Sequence, residues 1–306
     1  MILKKWKNFY KMKKKFIDTN IKNKQITVED RIQLIKFKDT KLPLPTEIEI
    51  SESGICNRKC SFCPRSDPKY PHKKEFISNN LHEKLCSELK VLNYSGTIRY
   101  SGFVEPLLDK NIYNLIQMAK KKLPSSNIEM VTNGDVLNLK RIKKLFSMGL
   151  NKILISAYDG KDQADGFEKL CLEAKLTKNQ YIVRHRYFSD KQDFGITLSN
   201  RSGSMENAEF KIKALTEPMN KPCFIPTYTF FLDYQGDVLI CPHDWGKKIV
   251  LGNLNKQKLI DIWFSTKAMS IRNRLVNSNR KFSPCNLCDV NGTLMGEKNS
   301  VYYKNL

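Results

Sequence analysis

The sequence predicts an α/β fold: a partial barrel of parallel strands followed by a small C-terminal domain built on a β-hairpin and a helix. Three observations lead there. Between residues 46 and 188, five strand patterns alternate with four helical patterns. Around residues 200–213 that regularity stops, and an aromatic, β-branched hairpin pattern takes over. Seven of the nine cysteines fall into two sets, one just after the first strand and one spread through the C-terminal region.

In chain order, residues 1–44 form a basic extension in which Ile2, Trp6, Phe9, Tyr10, Phe16 and Ile17 recur at helix-like spacing among lysines. The plain expectation is a helix packed on the body of the protein. A basic amphipathic helix making weak contact with an anionic membrane surface through residues 1–20 is the other. The strand "TEIEIS" (46–51) then leads into a cysteine loop, followed by the helix "NNLHEKLCSELKVL", the strand "TIRYSG" (97–102) and the helix "KNIYNLIQMAKKK". The alternation continues through "NIEMVTNG", "LKRIKKLFSMG", "KILISAYDG", "GFEKLCLEAKL" and "QYIVRHRYF". Such alternation implies parallel βαβ units, and five strands in succession favour a barrel or part of one over an open sheet. Chemistry in these folds gathers at the C-terminal ends of the strands. The barrel is expected over residues 45–205 and the C-terminal domain over 206–306. The latter opens with "KPCFIPTYTFFLDYQGDVLICPH", a hairpin turning at Gln235, Gly236 and Asp237 with Cys223 and Cys241 at its outer ends. A helix, "KLIDIWFSTKAM", and a closing "CNLC" complete it.

The 306 residues carry a net charge of +22. A nucleic-acid partner is one way to read such charge. The basic residues are 42 lysines and only 11 arginines, however, a skew that an AT-rich coding sequence produces without selection for a ligand. No nucleic acid is therefore expected. No run of about 18 apolar residues is present to cross a bilayer. The lysine-broken N-terminus lacks the apolar core of a secretory signal. A cytoplasmic protein is the expectation, and there clustered thiols are more often metal ligands or catalytic groups than disulfides.

The first set is Cys56, Cys60 and Cys63 in "ESGICNRKCSFCPRS", a C-x3-C-x2-C spacing. One loop can wrap three corners of an iron–sulfur cubane with three thiolates. The fourth iron then keeps an open position, as catalytic metal sites do. Structural zinc fits less well, because it takes four ligands and His72 is the one candidate nearby.

With an aromatic residue before the third cysteine, in a loop after the first strand of a βα barrel, this motif resembles that of radical SAM enzymes. The resemblance implies a partial (β/α) barrel of the radical SAM type. It also implies a [4Fe–4S] cluster held by Cys56, Cys60 and Cys63, whose free iron binds S-adenosyl-L-methionine, and a 5′-deoxyadenosyl radical that takes hydrogen from substrate. An electron donor such as flavodoxin or ferredoxin belongs to that chemistry. Residue by residue, "YSGFVEPLL" resembles the segment that binds the methionine amino group, which points to Gly102 and Glu105. "VTNG" points to Asn133, "ISAYDG" to Ser156 beside the ribose, and "VRHR" to Arg184 as a carboxylate or substrate contact. Phe62 matches the residue beside the adenine.

The second set, Cys223, Cys241, Cys285 and Cys288, suits a structural zinc or a cluster when read alone. Beside the first set, and with "GNLNKQKLIDIW" between its second and third cysteines, it resembles the SPASM or Twitch type of auxiliary-cluster extension. Four cysteines imply one fully ligated auxiliary [4Fe–4S] cluster. Cys86 and Cys171 lie beside leucines in amphipathic helices and are expected in the core.

A fully ligated cluster has no place for S-adenosylmethionine, and the resemblance implies electron transfer or structural support for it. One-cluster relatives include dehydrogenases of secondary alcohols on aminocyclitol or sugar rings. The leading expectation is thus a radical SAM oxidoreductase acting on a polar small molecule, a sugar-like or nucleotide-linked alcohol, neutral or anionic. Arg184 and Arg186 share one side of their strand, as do Ser156 and Tyr158 of the preceding one. Two inward guanidiniums would offer bidentate sites for phosphate or carboxylate. Asp159 and His185 are the candidate bases, completing a set of catalytic candidates with Arg184, Arg186 and Tyr158. Two alternatives remain: a peptide-modifying maturase, for which the N-terminal extension looks too short to hold a recognition domain, and a zinc-stabilised protein binding nucleic acid or a membrane surface.

Overall fold

The structure, a computed structural model, describes residues 16–305, so the helix expected over residues 1–20 lies mostly outside the described residues. Helix α1 (Thr19–Glu29) begins at Asp18, whose side chain accepts a hydrogen bond from the Asn20 amide at 2.7 Å. A two-stranded antiparallel ribbon follows, β1 (Leu34–Phe37) and β2 (Thr40–Pro43).

The barrel unit then runs as expected: β3 (Glu47–Ser51), α2 (Asn79–Val91), β4 (Thr97–Tyr100), α3 (Ile112–Lys122), β5 (Asn127–Thr132), α4 (Leu139–Ser147), β6 (Lys152–Ala157), α5 (Lys161–Glu173) and β7 (Tyr181–His185). Strands β3 to β7 pair parallel in sequence order. Their period-two pattern sorts side chains onto two faces. Ile48, Ile50, Ile98, Tyr100, Ile128 and Met130 join the apolar core, together with helix residues such as Leu85, Leu89, Leu115 and Ile116. Cys86 and Cys171 are fully buried in α2 and α5, where the sequence put them. The alternate positions on β3, β4 and β5 carry Glu47, Glu49, Arg99 and Glu129. Arg99 donates to Glu47 and, at 2.7 Å, to Glu129. Helix α1 closes over this charged interior: Lys24 reaches Glu47 at 2.9 Å, and Asn23 accepts from Lys152 at 2.6 Å. Removing one partner from so buried a network costs about 3–5 kcal/mol, because the other charge is left unpaired.

After β7 comes a long irregular stretch, then α6 (Ile225–Tyr228), β8 (Thr229–Asp233), β9 (Asp237–Leu239), β10 (Val250–Asn253), α7 (Leu259–Trp263), α8 (Thr266–Val276) and the short α9 (Glu297–Ser300). The hairpin turns where expected, with Gly236 at φ +89°. Its first strand does something the sequence reading did not foresee. β8 pairs parallel with β3, from Glu47↔Thr229 to Ser51↔Asp233, so the sheet order is β10-β9-β8-β3-β4-β5-β6-β7. All five residues of β8 are buried, and a strand covered on both faces belongs inside a parallel sheet. The hairpin thus continues the barrel sheet past the expected boundary at residue 205. The barrel stays partial, because β7 and the β9–β10 ribbon form the two sheet edges. The helix expected from "KLIDIWFSTKAM" is two helices, divided where the Ser265 side chain accepts from the Ala268 amide. Trp263 donates to the Pro43 carbonyl at 2.9 Å and Phe264 stacks on Phe37 at 4.4 Å, which ties the C-terminal region to the β1–β2 ribbon.

Candidate active site

A cavity of about 440 Å³ opens at the C-terminal ends of the barrel strands, and Cys56, Cys60 and Cys63 line it. The cysteine loop is held by a guanidinium that the sequence reading missed. Arg58 donates to Asp135 at 2.5 and 2.7 Å and to Asp159 at 2.6 and 2.9 Å. It also lies 5.3 Å from the Tyr158 ring centre. This fork ties the loop to the ends of β5 and β6. Arg65 anchors the loop's far end by donating to the Phe103 carbonyl at 2.5 Å. His72, the one nearby histidine, is exposed, pairs with Arg65 and stands off the cavity lining.

Gly102, Glu105 and Asn133 come together here. Gly102 has φ +94°, and a Cβ there would meet the Phe231 ring at 2.9 Å, so both backbone conformation and space require glycine. Glu105 is buried and accepts from the Thr132 hydroxyl at 2.6 Å and from the amides of Asn133 and Leu107 at 2.7 and 3.0 Å. Burial nevertheless pushes its carboxyl up to about 7, against the pull of those three donors. The Asn133 side chain donates to Asn57 at 2.8 Å, inside the cysteine loop. Ser156, Tyr158 and Phe62 also line the cavity, with the Phe62 and Tyr158 rings 5.7 Å apart.

Along β7 and the residue that follows it, the alternation has a sharp consequence. Arg184 and Arg186 both face the cavity, while His185 points away, stacks on Phe194 at 4.4 Å and pairs with the Tyr187 hydroxyl. Asp159 is held by Arg58 and also stands off the lining, its carboxyl kept low chiefly by hydrogen bonds from that guanidinium. Neither expected base reaches the cavity. Three other lining residues carried no motif to reveal them: Asp18 at the N-cap of α1, Arg201 from the irregular stretch and His243 from the C-terminal region.

The second cysteine set also assembles. Cys241 is raised well above the usual thiol range by burial and by nearby Cys285, Cys288 and Cys223. Burial likewise pushes Cys223 up to about 11. A Cβ on Gly292 would lie 2.4 Å from the Cys223 sulfur, so glycine lets the chain pass close beside that thiol. None of the nine thiols is in a disulfide. Among the described residues, no three His, Cys, Asp or Glu side chains converge around a single ion. Free thiols in a three and a four, six of them half-buried and Cys288 buried, are the soft donors that iron–sulfur clusters take. Pro242 and Asp289, next in the chain to Cys241 and Cys288, line the same cavity as Cys56, Cys60 and Cys63.

A family model described as the radical SAM superfamily matches residues 50–191, and one described as the SPASM iron–sulfur cluster-binding domain matches residues 223–289. An S-adenosyl-L-methionine-dependent 2-deoxy-scyllo-inosamine dehydrogenase from Niallia circulans is 31% identical over 244 residues, 79% of this chain and 92% of the relative. The chain belongs to the radical SAM superfamily. The crystal structure of BtrN in complex with AdoMet and 2-DOIA superposes with a TM-score of 0.70 at 27% identity, covering 84% of this chain and 98% of BtrN. Native anSMEcpe with bound AdoMet shares the fold alone, at 15% identity and a TM-score of 0.51 over 84% of this chain and 96% of its own. This radical SAM enzyme therefore uses a [4Fe–4S] cluster that binds S-adenosylmethionine and carries an auxiliary iron–sulfur site in its SPASM domain. Membership sets aside the reading as a zinc-stabilised binding protein. Among the described residues, no helix is long and apolar enough to cross a membrane.

Proposed function

We propose that this radical SAM enzyme is a dehydrogenase that oxidises an alcohol of a small, sugar-like ring to a carbonyl. The observation that carries the reading is that Cys56, Cys60 and Cys63 line the cavity and that Pro242 and Asp289, the chain neighbours of Cys241 and Cys288, line it too. Held by Cys56, Cys60 and Cys63, a cluster with bound S-adenosylmethionine would supply hydrogen-atom abstraction by a radical, and a second cluster held by Cys223, Cys241, Cys285 and Cys288 would supply an acceptor for one electron. Loss of one hydrogen atom, one electron and the hydroxyl proton converts a carbinol to a carbonyl, so the balance closes with those two acceptors and solvent. An external donor such as flavodoxin or ferredoxin supplies the electron that starts each turnover.

The chain's own part is binding and exclusion of water. Glu105 offers a carboxylate to the methionine ammonium, and Gly102 keeps the backbone close. Phe62 and Tyr158 present ring faces for the adenine, and Ser156 a hydroxyl for the ribose. Cys56, Cys60 and Cys63 hold the first cluster, and Cys223, Cys241, Cys285 and Cys288 the auxiliary one. The Niallia circulans relative, named as a 2-deoxy-scyllo-inosamine dehydrogenase, supports a ring alcohol as substrate class. The cavity volume of about 440 Å³ lies in the range of small-molecule sites. Anaerobic incubation with polyols deuterated at each carbinol carbon tests the reading. One position is expected to pass its deuterium to 5′-deoxyadenosine as a ketone appears in equal amount; 5′-deoxyadenosine formed without a carbonyl product would overturn it.

A further inference from the structure

Three guanidiniums face the cavity with fewer acceptors than they can use. Among the described residues, Arg184 and Arg186 share a single carboxylate, Asp18, at 3.3 and 3.2 Å, and Arg184 otherwise reaches only the Ser156 hydroxyl, at 3.4 Å. Charge-assisted guanidinium–carboxylate bonds normally close to about 2.7–2.9 Å. Elsewhere in this protein they do, at 2.5 Å for Arg58 with Asp135 and 2.7 Å for Arg99 with Glu129. The third, Arg201, meets His243 at 3.3 Å, and its buried Nε has no partner among the described residues. Burial and the neighbouring Arg184 pull the Arg186 guanidinium down to about 10, which marks a cation short of negative charge. Asp18 is pinned as the N-cap of α1 and is shared between the two arginines.

We propose that Arg186 and Arg201, with Arg184 beside them, form an oxyanion subsite, so that the alcohol oxidised in this cavity belongs to an anionic molecule, a sugar phosphate or a sugar acid. The proposal rests on the dehydrogenase reading for the reacting alcohol, but the subsite itself does not. A phosphate or carboxylate oxygen entering between these side chains satisfies the free Arg201 donor and the second face of Arg186. Asp18 then serves as the internal counter-ion that holds Arg184 and Arg186 in place while the subsite is empty. Arg184 is also the side chain that the motif resemblance offers to S-adenosylmethionine. Arg186 and Arg201 therefore carry the test.

Anaerobically reconstituted holoenzyme, saturated with S-adenosylmethionine, is titrated with inorganic phosphate while thermal unfolding is followed. Phosphate is expected to raise Tm in the wild type. Arg186→Gln and Arg201→Gln are each expected to weaken that response about tenfold or more, and Arg186→Lys to weaken it less. Matched neutral polyols, their monophosphates and the corresponding sugar acids are then compared by substrate-dependent 5′-deoxyadenosine formation. The anionic members are expected to exceed the neutral ones about tenfold or more in kcat/KM, and the better of the two identifies the anion. Equal use of neutral polyols without phosphate competition overturns the subsite and leaves the dehydrogenase reading standing. Phosphate competing only with S-adenosylmethionine also overturns it, as does an Arg201→Gln variant that shifts a cluster potential but not phosphate affinity. If no polyol is oxidised yet phosphate binding is lost in both glutamine variants, the subsite stands and the dehydrogenase reading fails.

Discussion

A buried carboxylic acid favours its neutral form unless donors or a cation hold the charge, and Glu105 sits between those limits. Its three hydrogen-bond donors favour the carboxylate, burial opposes them more strongly, and the outcome is a group titrating at about 7. Below that value the side chain is neutral and has no charge to offer an ammonium. Above it the carboxylate forms and the pair becomes favourable. S-adenosylmethionine affinity is therefore expected to increase as pH rises through about 7, and a bound ammonium would in turn favour the carboxylate form. Glu105→Gln should weaken binding about tenfold and flatten the pH profile. Anaerobic titration of S-adenosylmethionine at several pH values checks both. A glutamine variant that keeps the wild-type pH dependence would remove Glu105 from the role.

Between elements, the cysteine loop depends on a fork. Arg58 fixes it to Asp135 after β5 and to Asp159 after β6, with four hydrogen bonds of 2.5–2.9 Å. A lysine preserves the charge but not the planar fork that meets two carboxylates together. Arg58→Lys is expected to retain the fold, shown by an unchanged circular dichroism spectrum, while losing iron from the first cluster faster under a chelator. Arg58→Met should lose it faster still, since a charge-assisted hydrogen bond is worth about 2 kcal/mol. Iron release equal to wild type in both variants would assign Arg58 to surface pairing only. At the same scale, β8 shows why a local pattern misleads: "TYTFFLDYQGDVLI" reads as a hairpin, and it is one, yet its first strand is also the parallel neighbour of β3.

For the whole molecule, the C-terminal region is built into the barrel at several points. β8 pairs with β3, Trp263 bonds to Pro43, and α1 reaches the C-terminal segment through Gln25 to the Leu294 carbonyl at 2.8 Å and Glu29 from the Gly296 amide at 2.7 Å. Loss of the auxiliary cluster should therefore leave the barrel folded and loosen the cavity wall that follows Cys288. Cys285→Ala combined with Cys288→Ala is expected to halve the iron content, approximately, given two cubane clusters. It should keep S-adenosylmethionine cleavage by the first cluster while uncoupling it from carbonyl formation. Iron and sulfide analysis, with the ratio of 5′-deoxyadenosine to ketone, checks this; a variant that remains coupled would rule out electron acceptance by the auxiliary site.

By itself the sequence determined the parallel alternation, the grouping of the cysteines and the strand ends at which Gly102, Glu105, Asn133 and Ser156 meet. These are local signals: apolar periodicity marks each element, and ligand spacing is fixed within one loop. Only the tertiary structure decided what long-range packing controls. It turned Arg184 and Arg186 inward and His185 outward, withdrew Asp159 into the Arg58 fork, and brought Asp18 and Arg201 to the cavity from segments without a motif. Side-chain direction at a cavity depends on register against neighbouring strands and on which distant segments cover the open side. Neither is written in any short stretch of sequence.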